Sequence, residues 1–175
     1  MSRKLFCFDF DQTLVNGHFH NTICNAKLKR KEQLPQFVDQ LLADPNMGLK
    51  NSKEVKEIMR SALQNGHSVA IVSFTSFPQC FEPTLRKIGL TSEEIALIGK
   101  FHGFPTDPKN HKNEHLKKAM EYAKITDNSA VYLIDDDPAN CEHAARFGCQ
   151  AVVVPSEKNS PPFYLRNVID IANQP

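Results

Sequence analysis

The sequence predicts an α/β fold: a three-layer sandwich with a central, mainly parallel β-sheet. Two observations support this prediction. Short apolar runs alternate along the chain with segments of helical periodicity, which is the pattern of successive β/α units. Polar residues of unusual type fall where the apolar runs end, at the sheet edge where ligands bind. The 175 residues suit a single domain, and no internal boundary divides them.

Five apolar runs are predicted to be strands. The first, KLFCFDF at 4–10, is apolar on both faces, as a central parallel strand is. The others, in chain order, are 67–74, 95–100, 130–135 and 150–155.

Helical spacing of apolar residues predicts the connecting helices. The clearest is 51–66, in which Asn51 is the expected N-cap and Glu54 stands at the capping-box position. Further helices are predicted at 78–89, 113–124, 138–148 and 164–172. Segment 16–50 contains one predicted helix, 34–42, and otherwise has a loop pattern.

The charge balance predicts no general affinity for nucleic acid or for a membrane surface. The formal net charge is +1, too small to recruit a polyanion by its overall field. The stretch KLKRK at 27–31 is a local basic patch. A solvated loop or helix face is its simplest interpretation, and attraction of an acidic substrate is the alternative. The sequence leaves the oligomeric state open.

Cysteine usage and hydropathy favour a reducing compartment such as the cytoplasm. The five cysteines are an odd number without a C-x-x-C pair, which argues against a disulfide framework. The first predicted strand starts close to Met1, so we expect no N-terminal signal peptide. No apolar run approaches the roughly 18 residues of a membrane span. Export into a host cell is left open by these observations.

Polar residues collect at the predicted carboxyl ends of the strands. In chain order they are Asp9, Asp11, Thr13, Ser73, Thr75, Lys109, Lys112, Asp135, Asp136 and Asp137. Residues i and i+2 of an extended chain point the same way, so Asp9 and Asp11 can face one pocket. Several converging carboxylates repel one another, and a divalent cation with oxygen ligands relieves the repulsion. Mg²⁺ is the cation that such a set favours.

This set of groups suits phosphoryl chemistry. Once a metal and a lysine neutralise the site, a carboxylate can attack phosphorus and form an acyl phosphate. A neighbouring carboxyl can protonate the leaving oxygen and later take a proton from water. Hydroxyls and backbone N–H groups after the second strand can hold the phosphoryl oxygens.

The same stretches resemble the motifs of the haloacid dehalogenase (HAD) superfamily of phosphatases. DFDQTLV at 9–15 resembles the first motif, D-x-D-x-T-[LV], and VAIVS at 69–73 resembles the second. LIDDD at 133–137 resembles the fourth, with a lysine between them as the third. The resemblance extends from about residue 4 to residue 154. It implies a Rossmann-like HAD core, Mg²⁺ as cofactor and a phosphatase or phosphotransferase activity.

The resemblance implies a role for each carboxylate. Asp9 would be the nucleophile and a metal ligand. Asp11 would be the general acid/base and would bind the metal through its backbone carbonyl. Asp136 would be a direct metal ligand, and Asp135 a direct or water-mediated one. The presence of Asp11 favours a phosphatase, because dehalogenase members lack this second acid.

The resemblance also implies which residues bind the phosphoryl group. Ser73 would hold it, with Thr75 as a helper, and Thr13 would support the turn that contains the two aspartates. The motif lysine is either Lys112, which begins a predicted helix, or Lys109 close by.

Other patterns provide alternatives. HKNEH at 111–115 fits the zinc-protease pattern H-x-x-E-H, but no third ligand is evident. HFH at 18–20 places two imidazoles in a predicted loop, where substrate contact competes with an ordinary surface role. A phosphotransferase with an acceptor other than water would use the same residues. A non-catalytic binding domain is the non-enzyme alternative, and the intact motif set argues against it.

The space available for a cap predicts the kind of substrate. HAD enzymes that act on small metabolites usually carry a cap domain over the site. Here segment 16–50 leaves room for a small cap insert only, and 156–175 is a C-terminal extension. An open site admits a phosphate carried on a large surface. We therefore expect a phosphoprotein substrate ahead of nucleic acid, with phosphotyrosine as a candidate and a small metabolite as the alternative.

Overall fold

The structure, a computed structural model, describes residues 2–28, 31–158 and 160–175. Within these residues five strands form one sheet: β1 (Leu5–Phe8), β2 (Ser68–Ser73), β3 (Gly99–His102), β4 (Val131–Asp135) and β5 (Gln150–Val153). Their order is β3-β2-β1-β4-β5, and every neighbouring pair is parallel. The predicted parallel α/β fold is confirmed, and β1 is the central strand.

Helices cover both faces of the sheet. They are α1 (Phe19–Asn25), α2 (Leu34–Ala43), α3 (Ser52–Gln64), α4 (Phe81–Ile88), α5 (Ser92–Ala96), α6 (Asn113–Ala123), α7 (Pro138–Arg146) and α8 (Arg166–Ala172). Phe6 and Phe8 of β1 belong to an apolar cluster with side chains of α1 to α5 and α8. Leu5 and Cys7 belong to a second cluster, with side chains of α6 and α7. Because successive side chains of a strand point to opposite faces, β1 lies between the two clusters and the fold has three layers.

The predicted third strand is present, but the range predicted for it, 95–100, is wrong. Helix α5 covers the first residues of that run, and β3 begins only at Gly99. The Thr91 side chain accepts the N–H of Glu94, and the Glu94 carboxylate accepts the N–H of Thr91. This capping box starts a helix just before the run and extends it into the run's first residues, whose apolar character alone does not distinguish a strand from a buried helical turn.

The segment 16–50, predicted to be mostly loop, contains the additional helix α1. Phe19 and Ile23 of α1 are buried in the same apolar cluster as Val38 of α2. The two ends of the segment lie side by side, because Val15 and Leu49 form an antiparallel bridge. One consequence is that His20 lies in a helix rather than in the predicted loop.

The prediction that Asn51 caps α3 through its side chain is wrong, although the helix itself is confirmed. Asn51 has a φ of 44°, in the left-handed region, and makes no side-chain capping bond. Its Nδ2 instead donates to the hydroxyl of Tyr164 at 2.6 Å. The side chain therefore links the start of α3 to the C-terminal segment.

The structure also describes the cysteines, part of the basic patch and the apolar character of the helices. All five cysteines are unpaired, in agreement with the expectation of no disulfide framework. Lys27 of the basic patch is exposed, whereas Lys29 and Arg30 lie outside the described residues. Among the described residues, none of the helices has the length and apolar character needed to cross a membrane.

Candidate active site

The candidate site lies at the carboxyl end of the central strands, where the sequence placed it. Asp9 follows β1 directly, and its N–H donates to the carbonyl of Ile134 in β4 at 2.9 Å. Ser73 and Asp135 are the last residues of β2 and β4. Asp9, Ser73 and Asp135 are all buried. Parallel neighbouring strands thus bring residues from three distant parts of the chain to one point.

Lys112 is the cation at the base of the site. Its side chain is only 1% exposed, and its Nζ donates to Asp9 Oδ1 at 2.5 Å and to the carbonyl of Val72 at 2.8 Å. Its Nζ also lies 3.7 Å from Asp135 Oδ2 and 4.3 Å from the centre of the Phe74 ring. Burial lowers the pKa of Lys112, but the charges of Asp9 and Asp135 outweigh this effect and the pKa is raised. Lys112 therefore stays an ammonium.

Three carboxylates form a cluster at this end of the sheet, and two of them, Asp9 and Asp135, lie within 4 Å of Lys112 Nζ. Asp9, Asp135 and Asp136 each place an oxygen within 4.8 Å of the others. Burial raises the pKa of Asp9 to about 6 against the opposing effect of Lys112, and burial together with the charge of Asp9 raises the pKa of Asp135 to about 7. One ammonium does not balance three carboxylates. The residues therefore fit a divalent cation, because they supply carboxylate oxygens only, the donors that Mg²⁺ prefers.

Asn140 and Asp137 hold the acidic loop in place. Asn140 is buried, and its Nδ2 lies 3.2 Å from both carboxylate oxygens of Asp135. The N–H of Asp137 donates to Asp135 Oδ1 at 2.9 Å. The Asp137 side chain accepts the N–H of Ala139, so Asp137 is the N-cap of α7. These bonds fix the direction in which the Asp135 carboxylate points.

Asp11 is held by the first turn of α1. Its Oδ1 accepts the N–H of Phe19 at 2.8 Å, and its Oδ2 accepts the N–H of His20 at 3.2 Å. Burial raises the pKa of Asp11, and these two hydrogen bonds oppose the rise. Helix α1 was not predicted from the sequence, yet it positions Asp11, a site residue that was predicted.

Ser73 and Thr75 shape the loop after β2. Ser73 Oγ accepts the N–H of Thr75 at 3.3 Å, and Thr75 Oγ1 accepts the N–H of Phe77 at 3.1 Å. In both bonds the hydroxyl is the acceptor, so its own hydrogen can still be donated to a phosphoryl oxygen. The two residues line a cavity of about 510 Å³ together with Asp9, Asp11, Lys112, Asp135 and Asp136.

The model of one protein family, described as Acid Phosphatase, matches residues 2–160. The chain belongs to this family. No curated protein sequence matches it significantly.

Solved structures of similar fold are HAD enzymes. A HAD-superfamily hydrolase from Ehrlichia chaffeensis is 16% identical with a TM-score of 0.57, covering 99% of this chain and 97% of its own. CbbY from Rhodobacter sphaeroides, bound to xylulose-1,5-bisphosphate, is 15% identical with a TM-score of 0.61, covering 95% and 89%. A phosphoserine phosphatase, solved as a phospho-aspartyl intermediate analogue, is 19% identical with a TM-score of 0.56, covering 87% of each chain. At these identities the structures establish the HAD fold, and the family match establishes that the chain is a phosphatase.

Two of the predicted site residues of this phosphatase, Lys109 and Thr13, do not line the cavity. Lys109 is exposed on the short 3₁₀ turn before α6. Thr13 is buried in the turn after β1, where its N–H donates to the carbonyl of Phe10 at 3.3 Å. Of the two candidate lysines, the fold therefore brings only Lys112 to the cavity.

The HKNEH stretch does not assemble as a metal site. The His111 ring stacks on that of His143 with 3.9 Å between centroids, whereas His115 is buried 5.5 Å from the Phe74 ring. Among the described residues, the group of three or more potential metal ligands is the aspartate cluster. The zinc-protease alternative has no support in this geometry.

Aromatic residues at the mouth of the cavity were missed by the sequence analysis. Phe104 lines the cavity and is 67% exposed. Its ring lies 5.7 Å from the His20 ring and 6.3 Å from the Phe74 ring. Phe104 lies in an irregular loop without periodicity, so no pattern in the sequence indicated its position. Both histidines of the HFH stretch, His18 and His20, line the cavity.

Proposed function

We propose that this phosphatase is a Mg²⁺-dependent phosphomonoester hydrolase that works through a phosphoaspartate at Asp9. The observation that carries the proposal is the position of the Asp9 carboxylate in the cavity, bonded to buried Lys112 and close to two further carboxylates. Asp11 lines the same cavity. The similar phosphoserine phosphatase, solved as a phospho-aspartyl intermediate analogue, supports the same type of intermediate here.

In the first step, an oxygen of Asp9 attacks phosphorus while the bond from phosphorus to the leaving oxygen breaks. Asp11 donates its proton to that departing oxygen, a role that the raised pKa of its carboxyl favours. In the second step, water attacks the phosphorus of the phosphoaspartate, Asp11 takes the water proton, and Asp9 is regenerated as phosphate leaves. Ser73 and Lys112 lie where they can bind the phosphoryl oxygens.

Asp9, Asp135 and Asp136 would hold the Mg²⁺ ion, and Asn140 would keep Asp135 aimed at it. When bound, the ion neutralises the carboxylates and offsets the negative charge of the phosphoryl group.

We also propose that the substrate is a phosphoprotein, with phosphotyrosine preferred. The exposed Phe104 ring, beside Phe74 and His20, offers an aromatic surface on which the ring of an aryl phosphate can stack. Helices α1 and α2 supply side chains to the core cluster rather than forming a separate domain over the cavity. The aromatic surface favours an aryl phosphate, and the packing of α1 and α2 into the core favours a phosphate presented on a larger molecule.

A substrate panel tests this proposal. We expect kcat/KM for phosphotyrosine peptides to exceed the values for phosphoserine peptides, sugar phosphates and nucleotides by about tenfold, the size of one or two ring contacts. Phe104→Ala should lower kcat/KM for the phosphotyrosine peptide and leave kcat/KM for the phosphoserine peptide unchanged. Phe163→Ala is the matched control, because Phe163 is an exposed phenylalanine that does not line the cavity.

Two results would contradict the proposal. A sugar phosphate or nucleotide preferred by about a hundredfold would show that the substrate is a small metabolite. Transfer of the phosphoryl group to an added alcohol, in place of phosphate release, would identify a phosphotransferase.

A further inference from the structure

Lys50 is a buried lysine outside the cavity whose ammonium contacts backbone carbonyls. Lys50 is 3% exposed. Its Nζ donates to the carbonyl of Gln12 at 3.2 Å and to the carbonyl of Pro155 at 2.5 Å. None of the ion pairs in the described part of the chain involves Lys50. A buried ammonium without a carboxylate partner is unfavourable by several kcal/mol unless its hydrogen bonds are satisfied. Packing alone would be served better by an apolar side chain.

Gln12, the first residue that Lys50 contacts, directly follows Asp11. Its φ is 57°, in the left-handed region, which is unfavourable by roughly 1 kcal/mol for a residue with a side chain. The Gln12 N–H donates to the carbonyl of Gly17 at 3.2 Å, and its carbonyl accepts from Lys50. Hydrogen bonds on both sides of the residue therefore hold the turn in this unusual conformation.

Pro155, the second contact, follows β5 at the edge of the acidic loop. The preceding residue, Val154, donates its N–H to the carbonyl of Asp135 at 2.9 Å. Lys50 thus links the turn after β1 to the chain beside the end of β4. Burial lowers the pKa of Lys50, and the charge of Asp136 opposes this effect, so the ammonium also experiences the negative charge of the site.

We propose that Lys50 is a positioning residue that, through the Gln12 carbonyl, holds the turn from which Asp11 reaches the leaving oxygen. This inference rests on the general-acid role proposed above for Asp11. The Asp11 carboxylate is fixed at its far end by the N–H groups of Phe19 and His20. Lys50 fixes the backbone at its near end. Without this contact, proton donation by Asp11 should weaken while attack by Asp9 persists.

Leaving-group dependence distinguishes this role from a general structural one. p-Nitrophenolate departs readily without a proton, whereas phenolate needs one. We expect Lys50→Met to lower kcat/KM for phenyl phosphate about tenfold more than for p-nitrophenyl phosphate, within the 10²–10⁴-fold that general acid catalysis contributes. Asp11→Asn is measured in parallel with saturating Mg²⁺. It shows how large the difference between the two substrates becomes when the general acid itself is lost. Lys53→Met is the matched control, because Lys53 is an exposed lysine three residues along the chain.

The outcomes separate the inference from the function on which it rests. The inference is supported if both Asp11→Asn and Lys50→Met lose more kcat/KM on phenyl phosphate than on p-nitrophenyl phosphate, a difference called here the excess loss. An excess loss in Asp11→Asn, but equal losses or none in Lys50→Met, overturns the role of Lys50 and leaves the proposed function standing. No excess loss in Asp11→Asn overturns both. If Lys50→Met does not fold, Lys50→Gln, which keeps an amide donor, replaces it with a smaller expected excess, and equal losses on the two substrates again refute the inference.

Discussion

Lys112 donates a hydrogen bond to Asp9 across 103 residues of sequence, and both side chains are buried. This pair is the electrostatic centre of the site. Asp9 carries the charge that attacks phosphorus in the proposed mechanism, and Lys112 keeps that charge stable in a region from which water is largely removed. Changes at either residue should therefore affect chemistry more than folding.

Replacement of Lys112 tests which lysine serves the reaction. Lys112→Met should lower kcat/KM about 10²- to 10³-fold, because it removes a preorganised donor beside the reacting group. Lys109→Met should stay within about twofold of the wild type, because Lys109 is exposed and away from the cavity. Steady-state kinetics of the two variants provide the comparison. A large loss in Lys109→Met with little change in Lys112→Met would reverse the assignment.

Replacement of Asp9 tests the phosphoaspartate. Asp9→Asn should abolish turnover and the acid-stable labelling of the protein by a ³²P-labelled substrate, since an amide does not attack phosphorus. Circular dichroism should show an intact fold, because the two side chains have the same shape. Asp170→Asn, an exposed position in α8, is the control. Activity of Asp9→Asn within about tenfold of the wild type would exclude Asp9 as the nucleophile.

Removal and return of metal test the aspartate cluster. Activity should disappear in EDTA and return with Mg²⁺, whereas Ca²⁺ should restore little because its larger and looser shell misplaces the phosphate. Asn140→Ala should raise the Mg²⁺ concentration needed for half-maximal activity about 10- to 100-fold, because it frees the Asp135 carboxylate. A magnesium-indifferent enzyme that zinc restores would contradict the assignment.

The stability of the metal-free protein should fall between about pH 6.5 and pH 8. The pKa of Asp135 is raised from 3.8 to about 7, so the native state keeps its proton in a pH range where the unfolded state has lost it. The unfolded state then binds fewer protons, and the free energy of unfolding decreases as pH rises. The buried His115, whose pKa is lowered to about 4, acts in the opposite direction, but below pH 6.5.

Thermal unfolding in EDTA at the two pH values measures this effect. We expect Mg²⁺ to raise Tm more at pH 8 than at pH 6.5, because protons compete with the metal at the lower pH. Asp135→Asn should remove most of the pH dependence in EDTA. A metal-free Tm that rises over this range in the wild type would contradict the raised pKa.

The positions of the main site residues were easier to predict than the elements that surround them. Asp9, Ser73 and Asp135 end short apolar runs, and the ends of parallel strands must meet at one edge of the sheet. The sequence did not show which of Lys112 and Lys109 lines the cavity, because this depends on which of the two side chains points into the cavity at the start of α6. That direction is set by tertiary packing rather than by local pattern.

Helix α1 illustrates a different limit. It has seven residues, no side-chain cap from its own N-cap residue, and two buried apolar positions, Phe19 and Ile23. Its first N–H groups are satisfied by Asp11, which precedes the helix by a turn that local capping rules do not cover. The strand error at 95–100 was of another kind, since the Thr91 and Glu94 capping box could be found in the sequence.

The position of β1 at the centre of the sheet has a consequence for synthesis on the ribosome. β1 is translated first, but its neighbour β4 emerges more than about 100 residues later and carries Asp135. Until then one edge of β1 has no partner, and Asp9 lacks the rest of its metal site. We expect nascent chains of increasing length to become protease-resistant and catalytically active in the same step, once β4 has left the exit tunnel. Stalled chains that end before and after β4 can be compared for both properties.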